Sequence, residues 1–369
     1  MSRKTAQQPQ SRIEATQIPG DGIGPEIVEA VQVVFDGLGA PFVWDVQRGG
    51  MDAVHARGDP LPAETLESIR RTRLALKGPL TTPIGGGFRS VNVRLREELG
   101  LYANVRPVRT ILRGRRYDNI DLVLIRENLE GLYVGFEHYV AIGDDPRAVA
   151  IASGVNTRVG ARRIIRFAFE YALRNGRKRV TVVHKANVLK ALSGLFLETG
   201  REVAREFEGR IEMNDRIVDA CAMQLVTDPW QFDVIVATNL FGDILSDEIA
   251  GLVGGLGFAP GANIGEHAAI FEAVHGSAPD IAGKGIANPV SLLLATGLML
   301  EHVGRREAAD GLRAAIVTTL DQDNLRTPDI GGRASTREFA EAVTRRLQAP
   351  AVSATMGSPV DEEVSDERG

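Results

Sequence analysis

Cysteine is nearly absent from this 369-residue chain: Cys221 stands alone, so an internal disulfide and a cysteine-built metal site are both excluded. That usage suits a reducing compartment, and a cytoplasmic protein is expected. Long apolar runs are missing too. The best candidate, Pro289 to Leu300, is shorter than a membrane-spanning helix and is flanked by Glu301 and His302, so no membrane partner is expected. Nor is there a large excess of either charge. The net value is −5, which gives no global reason to bind nucleic acid. No internal repeat is visible.

What remains is the balance of a soluble enzyme, with 44% hydrophobic and 25% charged residues. The length suits two domains, or one large α/β unit with an insertion. Residues 1–12 carry Arg3, Lys4 and Arg12 without an apolar stripe, and 349–369 are small, polar and acidic. Both ends read as disordered tails.

Between them, short apolar runs alternate with helical periods. A strand from Ile13 leads into Pro19-Gly-Asp-Gly-Ile-Gly-Pro-Glu26, and a helix follows with Ile27, Val31, Val34, Phe35 and Leu38, ending at Gly39. Further strands are expected at Leu74–Lys77, Ile120–Ile125, Val180–Val183 and Phe232–Ala237, with helices after Leu61-Pro62, at Gly160–Asn175 and at Leu195–Phe207. This is an α/β pattern with a largely parallel sheet. Tyr139 to Asn156 fits neither period well and reads as an arm or hairpin outside that sheet.

Several constellations carry chemistry. The glycine loop has Gly-x-Gly-x-Gly-Pro spacing and misses the Gly-x-Gly-x-x-Gly dinucleotide fingerprint, so a tight strand-to-helix turn is its simpler reading. Asn239 to Asp247 follows a strand end, where α/β proteins place ligands. Asp243 and Asp247 are one helical turn apart, and a divalent cation would relieve their repulsion. Oxygen ligands favour Mg²⁺ or Mn²⁺. A capped helix start is the alternative. Arg89, Arg94, Arg96, Arg106 and Arg126 could clamp a polycarboxylate or be solvated surface charges. Tyr133 and Lys185 are candidate acid and base groups, or plain exposed side chains. His275 to Gly283 could wrap a dinucleotide, with Asp280 accepting from a ribose hydroxyl, or be a simple loop.

Taken together, and in this order, Gly20 to Glu26, Lys77 to Pro83, Tyr102 to Pro107, Arg126-Glu-Asn128, His184-Lys-Ala-Asn187, Asn239 to Asp247, Gly254 to Gly257 and His275 to Gly283 resemble the isocitrate/isopropylmalate family of decarboxylating dehydrogenases. The likeness covers about residues 13 to 348. It implies a fold other than Rossmann: a large discontinuous α/β domain from 13–101 and 254–348, and a smaller α/β dimerisation domain at 102–253 with a clasp arm within about 131–157. It also implies a homodimer, or a larger oligomer, with sites shared between subunits.

The resemblance assigns roles residue by residue. Arg96, Arg106 and Arg126 match carboxylate clamps. Tyr133 matches the proton donor, and Lys185 matches a base supplied by the partner subunit. Asp219, Asp243 and Asp247 match the metal ligands, with Asp219 again from the partner. After Gly85-Gly-Gly87, isopropylmalate enzymes carry an apolar Leu-Leu pair. Here Ser90-Val91-Asn92 resembles the isocitrate type, since a hydroxyl and an amide suit a third carboxylate. Thr82, Asn187, His275, Gly276, Ser277, Ala278 and Asn288 fall at cofactor-contacting positions. Asp280-Ile281 replaces the Lys-Tyr of NADP members, and neither Pro328 nor Ile330 can hold a phosphate, which implies NAD. The expected activity is NAD-dependent oxidative decarboxylation of isocitrate with Mg²⁺ or Mn²⁺. Homoisocitrate, tartrate, 3-isopropylmalate or a non-catalytic regulatory role are the alternatives. Leu129, Thr238 and Phe241 depart from the family's usual Ser or Thr, Pro and Tyr.

Overall fold

The structure, a computed structural model, describes residues 12–83, 88–112, 114 and 116–348. The two tails read above, apart from Arg12, and the Gly85-Gly-Gly87 stretch lie outside the described residues.

The chain opens with β1 (Ile13–Ile18), α1 (Gly24–Leu38), β2 (Phe42–Val46), α2 (Met51–Arg57), α3 (Ala63–Thr72), β3 (Leu74–Lys77) and α4 (Val91–Glu98). Its middle holds β4 (Ala103–Arg109), β5 (Asp121–Glu127), β6 (Gly131–Ile142), β7 (Asp145–Val155), α5 (Arg158–Arg174), β8 (Arg179–His184), α6 (Leu192–Arg205), β9 (Glu212–Ile217), α7 (Val218–Thr227), β10 (Val234–Ala237) and α8 (Asn239–Val253). It closes with β11 (Pro260–Ile264), β12 (Ala269–Ala273), α9 (Val290–His302), α10 (Arg306–Asp321) and α11 (Thr336–Gln348).

Helix α1 forms because Ile27, Val31, Val34 and Phe35 recur on one face, which is buried. It stops at Gly39, whose left-handed backbone turns its N–H back to the carbonyls of Phe35 and Asp36. Ten strands make one sheet in the order β2-β1-β3-β12-β11-β4-β5-β10-β8-β9. The first five come from the two ends of the chain and the last five from its middle, so the halves meet where β11 pairs with β4.

A largely parallel sheet is found on both flanks, but not at the centre. There β4 runs antiparallel to β5 and to β11, and β11 antiparallel to β12. The reason is the connections: β4–β5 and β11–β12 are joined without a helix, and only antiparallel strands can be joined that way. Among the described residues, strands β6 and β7 pair only with each other. Their hairpin leaves Phe136, Tyr139 and Ile142 about 60% exposed.

A polar seam crosses the centre of this sheet. Lys77 on β3 faces Glu272 on β12 across 2.6 Å, and both side chains are buried. The Asn263 amide on β11 donates to Glu272 at 2.6 Å, while its oxygen accepts from Asn104 on β4 at 2.7 Å and from Asn128 at 3.0 Å. Burial would raise the Glu272 carboxyl, but Lys77 and then Arg96 outweigh it and hold it at about 2. Glu272→Gln leaves Lys77 buried without its counter-charge, so a loss of about 3 kcal/mol or more is expected in urea unfolding at neutral pH. The depressed folded value makes this stabilisation complete above the ordinary 4.5 and lost as pH falls toward about 2, so the variant should show a flatter acid limb in that window. An unchanged unfolding midpoint would remove the pair from the core's energetics.

Candidate active site

Arg126 ends β5 and lies against the start of α8. A Cβ at Gly242 would come within 2.7 Å of the Arg126 side chain, so glycine is what lets the arginine pass. Its Nε and Nη2 donate to Asn239 Oδ1 at 3.0 and 2.7 Å, and Nη1 donates to Asp243. Arg106, two residues along β4 from Asn104, donates through Nε to Asn104 at 2.7 Å and through Nη1 to Ser246 and, at 3.2 Å, to Asp247. Its Nη2 is 3.7 Å from Asp243. The Tyr133 hydroxyl donates to the other oxygen of Asp243 at 3.0 Å. Two arginines, two aspartates and a phenol thus share one spot.

Arg96 joins them from α4. It is 4.0 Å from Glu272, and among the described residues its buried Nε has no partner. One turn earlier, Asn92 Oδ1 is likewise buried without a partner. Ser90 occupies the N-cap position of α4 without a capping bond, its hydroxyl accepting instead from Thr82 at 3.3 Å. Burial, then Arg96 and Arg106, pull Arg126 down to about 9, still protonated at neutral pH, with Asp243 opposing. Burial and Arg96 lower Arg106 in the same way. Asp247 is raised by burial and by Asp243. Tyr133 is raised by burial and by Asp243, which keeps its proton on.

Lys185 and Asp219 form a second group. Lys185 follows β8 and its ammonium contacts Asp219 in the first turn of α7. That contact lowers Asp219 below the usual carboxylate range. Next door, His184 accepts the Ala186 N–H at Nδ1 (3.0 Å) and faces Asp215 across 3.1 Å through Nε2. Among the described residues, no three His, Cys, Asp or Glu side chains converge, so Asp219 does not join Asp243 and Asp247 within one chain.

The His275–Ile281 loop explains the glycine loop. Ile23 N–H donates to the Ser277 carbonyl at 2.9 Å, and a Cβ at Gly22 would come within 1.9 Å of that oxygen. The glycine therefore admits another backbone and not a phosphate. Ser277 also shares a 2.8 Å hydrogen bond with Thr81, and Glu26 accepts from Gly285 and Ala287 at 3.2 and 3.0 Å. Ala278 holds a left-handed φ of 40°, while Gly276 faces open space and Asp280 is exposed. His275 Nε2 is buried without a partner among the described residues, and burial lowers its pKa. Asn288 donates to Asp329 at 2.9 Å. Asn187 is exposed in the turn after β8 and makes no hydrogen bond to this loop among the described residues. Asn263 and Glu272 were not singled out by sequence reasoning, and Asn104, Asn239 and Ser246 entered it only as members of their segments. The available signal was a polar residue inside a short apolar strand, as with Asn263.

The chain matches the profile described as isocitrate/isopropylmalate dehydrogenase over residues 14–343. The chain belongs to the isocitrate/isopropylmalate dehydrogenase family. It is 48% identical over 337 residues to an NAD isocitrate dehydrogenase catalytic subunit of Arabidopsis thaliana mitochondria, covering 91% of this chain and 88% of that one. It is also 48% identical over 332 residues to the 3-isopropylmalate dehydrogenase of Archaeoglobus fulgidus, covering 89% and 98%. The crystal structure of isocitrate dehydrogenase from Methylococcus capsulatus superposes with a TM-score of 0.88 at 53% identity, covering 91% of this chain and 99% of that one. The dehydrogenase is therefore an α/β enzyme of a decarboxylating family whose members include both isocitrate and 3-isopropylmalate dehydrogenases.

In the dehydrogenase, Asp243→Asn should move Tyr133 ionisation to lower pH, because it removes a negative charge that disfavours phenolate. Tyrosine ring ¹³C NMR titration reads this directly. An upward or absent shift would contradict the Tyr133–Asp243 contact.

Proposed function

We propose that this dehydrogenase converts isocitrate to 2-oxoglutarate and CO₂, with NAD as hydride acceptor and Mg²⁺ or Mn²⁺ as the metal. The supporting observation is the α4 face beside three crowded guanidiniums. Asn92 Oδ1 and Arg96 Nε are buried there without partners among the described residues. A polar γ-substituent on the substrate would satisfy such groups, whereas an isopropyl group would leave them desolvated.

The residues suit both cofactors. Asp243 and Asp247 offer hard oxygen donors one turn apart, the donor type Mg²⁺ and Mn²⁺ take. His275 Nε2, the open space at Gly276 and the exposed Asp280 make a polar rim that suits a ribose diol and repels a 2′-phosphate. When bound, the metal polarises the reacting oxygen and NAD accepts the hydride. Arg96, Arg106 and Arg126 bind the carboxylates. Ser90 and Asn92 orient the third one. Lys185 Nζ, in its neutral amine form, takes the hydroxyl proton, and Tyr133 Oη returns a proton to carbon after CO₂ has left.

Lys185 and Asp219 stand apart from Asp243 and Tyr133 in one chain, so the proposal makes the enzyme a homodimer whose sites each borrow that pair from the partner. The exposed apolar side chains of the β6–β7 hairpin, with Met223 on α7 and Ile244 on α8, support such an interface. Residues 13–101 with 254–348, and 102–253, are proposed as its two domains.

Steady-state NADH formation tests the substrate. Isocitrate turnover should far exceed that of 3-isopropylmalate, NAD should beat NADP by about a hundredfold in kcat/KM, and Ser90→Glu should nearly abolish activity by setting carboxylate against carboxylate. A fully active Ser90→Glu variant, or faster 3-isopropylmalate turnover, overturns the substrate assignment. No turnover of any 2-hydroxy acid by the chain alone would leave a regulatory subunit.

The shared site has its own test. Asp219→Asn and Asp243→Asn, each inactive alone, should recover roughly a quarter of wild-type activity when refolded together, since about half the dimers are mixed and each has one intact site. Mixed dimers confirmed by mass spectrometry but lacking activity would remove Asp219 from the partner's site.

A further inference from the structure

Arg106 and Pro107 are neighbours on β4, so their side chains point to opposite faces of the sheet. On the face away from the arginine–aspartate cluster, a cavity of about 580 Å³ opens between α5 from the middle of the chain and α9 and α10 from its end. That volume lies within the roughly 300–1,000 Å³ of small-molecule sites. Ile111, Phe258, Leu294, Leu298 and Val317 line its apolar part.

The polar part is unevenly paired. Arg109 is held by Asp121, Arg177 by Asp121 and Asp233, and Arg313 by Glu301 and Asp310. Arg306 also lines the cavity and, among the described residues, has no carboxylate within ion-pairing distance. It sits in the first turn of α10, the end of a helix where a cation is disfavoured. The Tyr171 hydroxyl lines the cavity from α5 and has no hydrogen-bond partner among the described residues.

We propose that this cavity is a second binding site, separate from the catalytic one, for a small amphipathic carboxylate. The apolar body packs on Leu294, Leu298 and Val317. The carboxylate accepts from Arg306 and Tyr171. Such a ligand touches elements from both halves of the sheet, and its binding does not depend on which 2-hydroxy acid the enzyme oxidises.

The probes are 1-naphthoate and its uncharged analogue 1-naphthamide, titrated into the full-length protein and followed by methyl NMR of the leucine, isoleucine and valine signals and by calorimetry. Naphthoate should shift the Leu294, Leu298 and Val317 methyls and bind about tenfold more tightly than the amide, the worth of one charge-assisted contact. Arg306→Gln should bring naphthoate down to the level of the amide and leave amide binding unchanged. Ala314→Trp, which fills the cavity from the exposed side of α10, should remove binding of both and leave turnover unaltered. Shifts confined to other methyls, equal affinity for the two probes, or naphthoate binding indifferent to Arg306→Gln overturns the proposal.

Discussion

The orientation of Arg106 at the site rests on a buried seam that runs from the Lys77–Glu272 pair through Asn263 and Asn104. A ten-stranded sheet assembled from two halves needs a fixed register where they join, and apolar packing is non-directional. The Asn263–Asn104 contact supplies direction across the β11–β4 junction, and Asn104 passes it on by accepting from Arg106. The seam thus ties the sheet's alignment to the orientation of a guanidinium. A buried ion pair of this kind is weak as a source of stability, but costly to break. Its value here lies in position.

The charge balance at the arginines has a second consequence. Three guanidiniums crowd where burial already disfavours charge, and Asp243 and Asp247 hold two of them. Each aspartate oxygen taken by an arginine is an oxygen withheld from a cation. Under the proposed function, a polycarboxylate substrate would supply new acceptors to the arginines and free the aspartates for the metal, so the two would support one another's binding through shared partners. The same cluster keeps Tyr133 protonated, since Asp243 accepts its hydroxyl.

Glycine is placed for close approach in two unrelated ways. Gly242 lets Arg126 lie along α8, and Gly22 lets the Ser277 backbone rest on the first loop. Sequence spacing separated the Gly20–Glu26 loop from a dinucleotide fingerprint, but could not say what the glycines admit. That requires knowing that residues about 250 positions apart are neighbours.

The periodicity of Ile27 to Leu38, the apolar runs at β3, β5, β8 and β10, and the one-turn spacing of Asp243 and Asp247 were all legible in the sequence, because each is a local property of the chain. The polar strand β9, the reversed direction of β4 and β11, and the seam through Asn263 were not. Strand direction is set by how connections cross the sheet, and a buried asparagine is recognisable only beside its partners. The order of the family's segments was enough to establish lineage. Which charges share a partner, and the separation of Lys185 and Asp219 from Asp243 in one chain, were decided by tertiary structure alone, because distances between remote segments exist only after the sheet has closed.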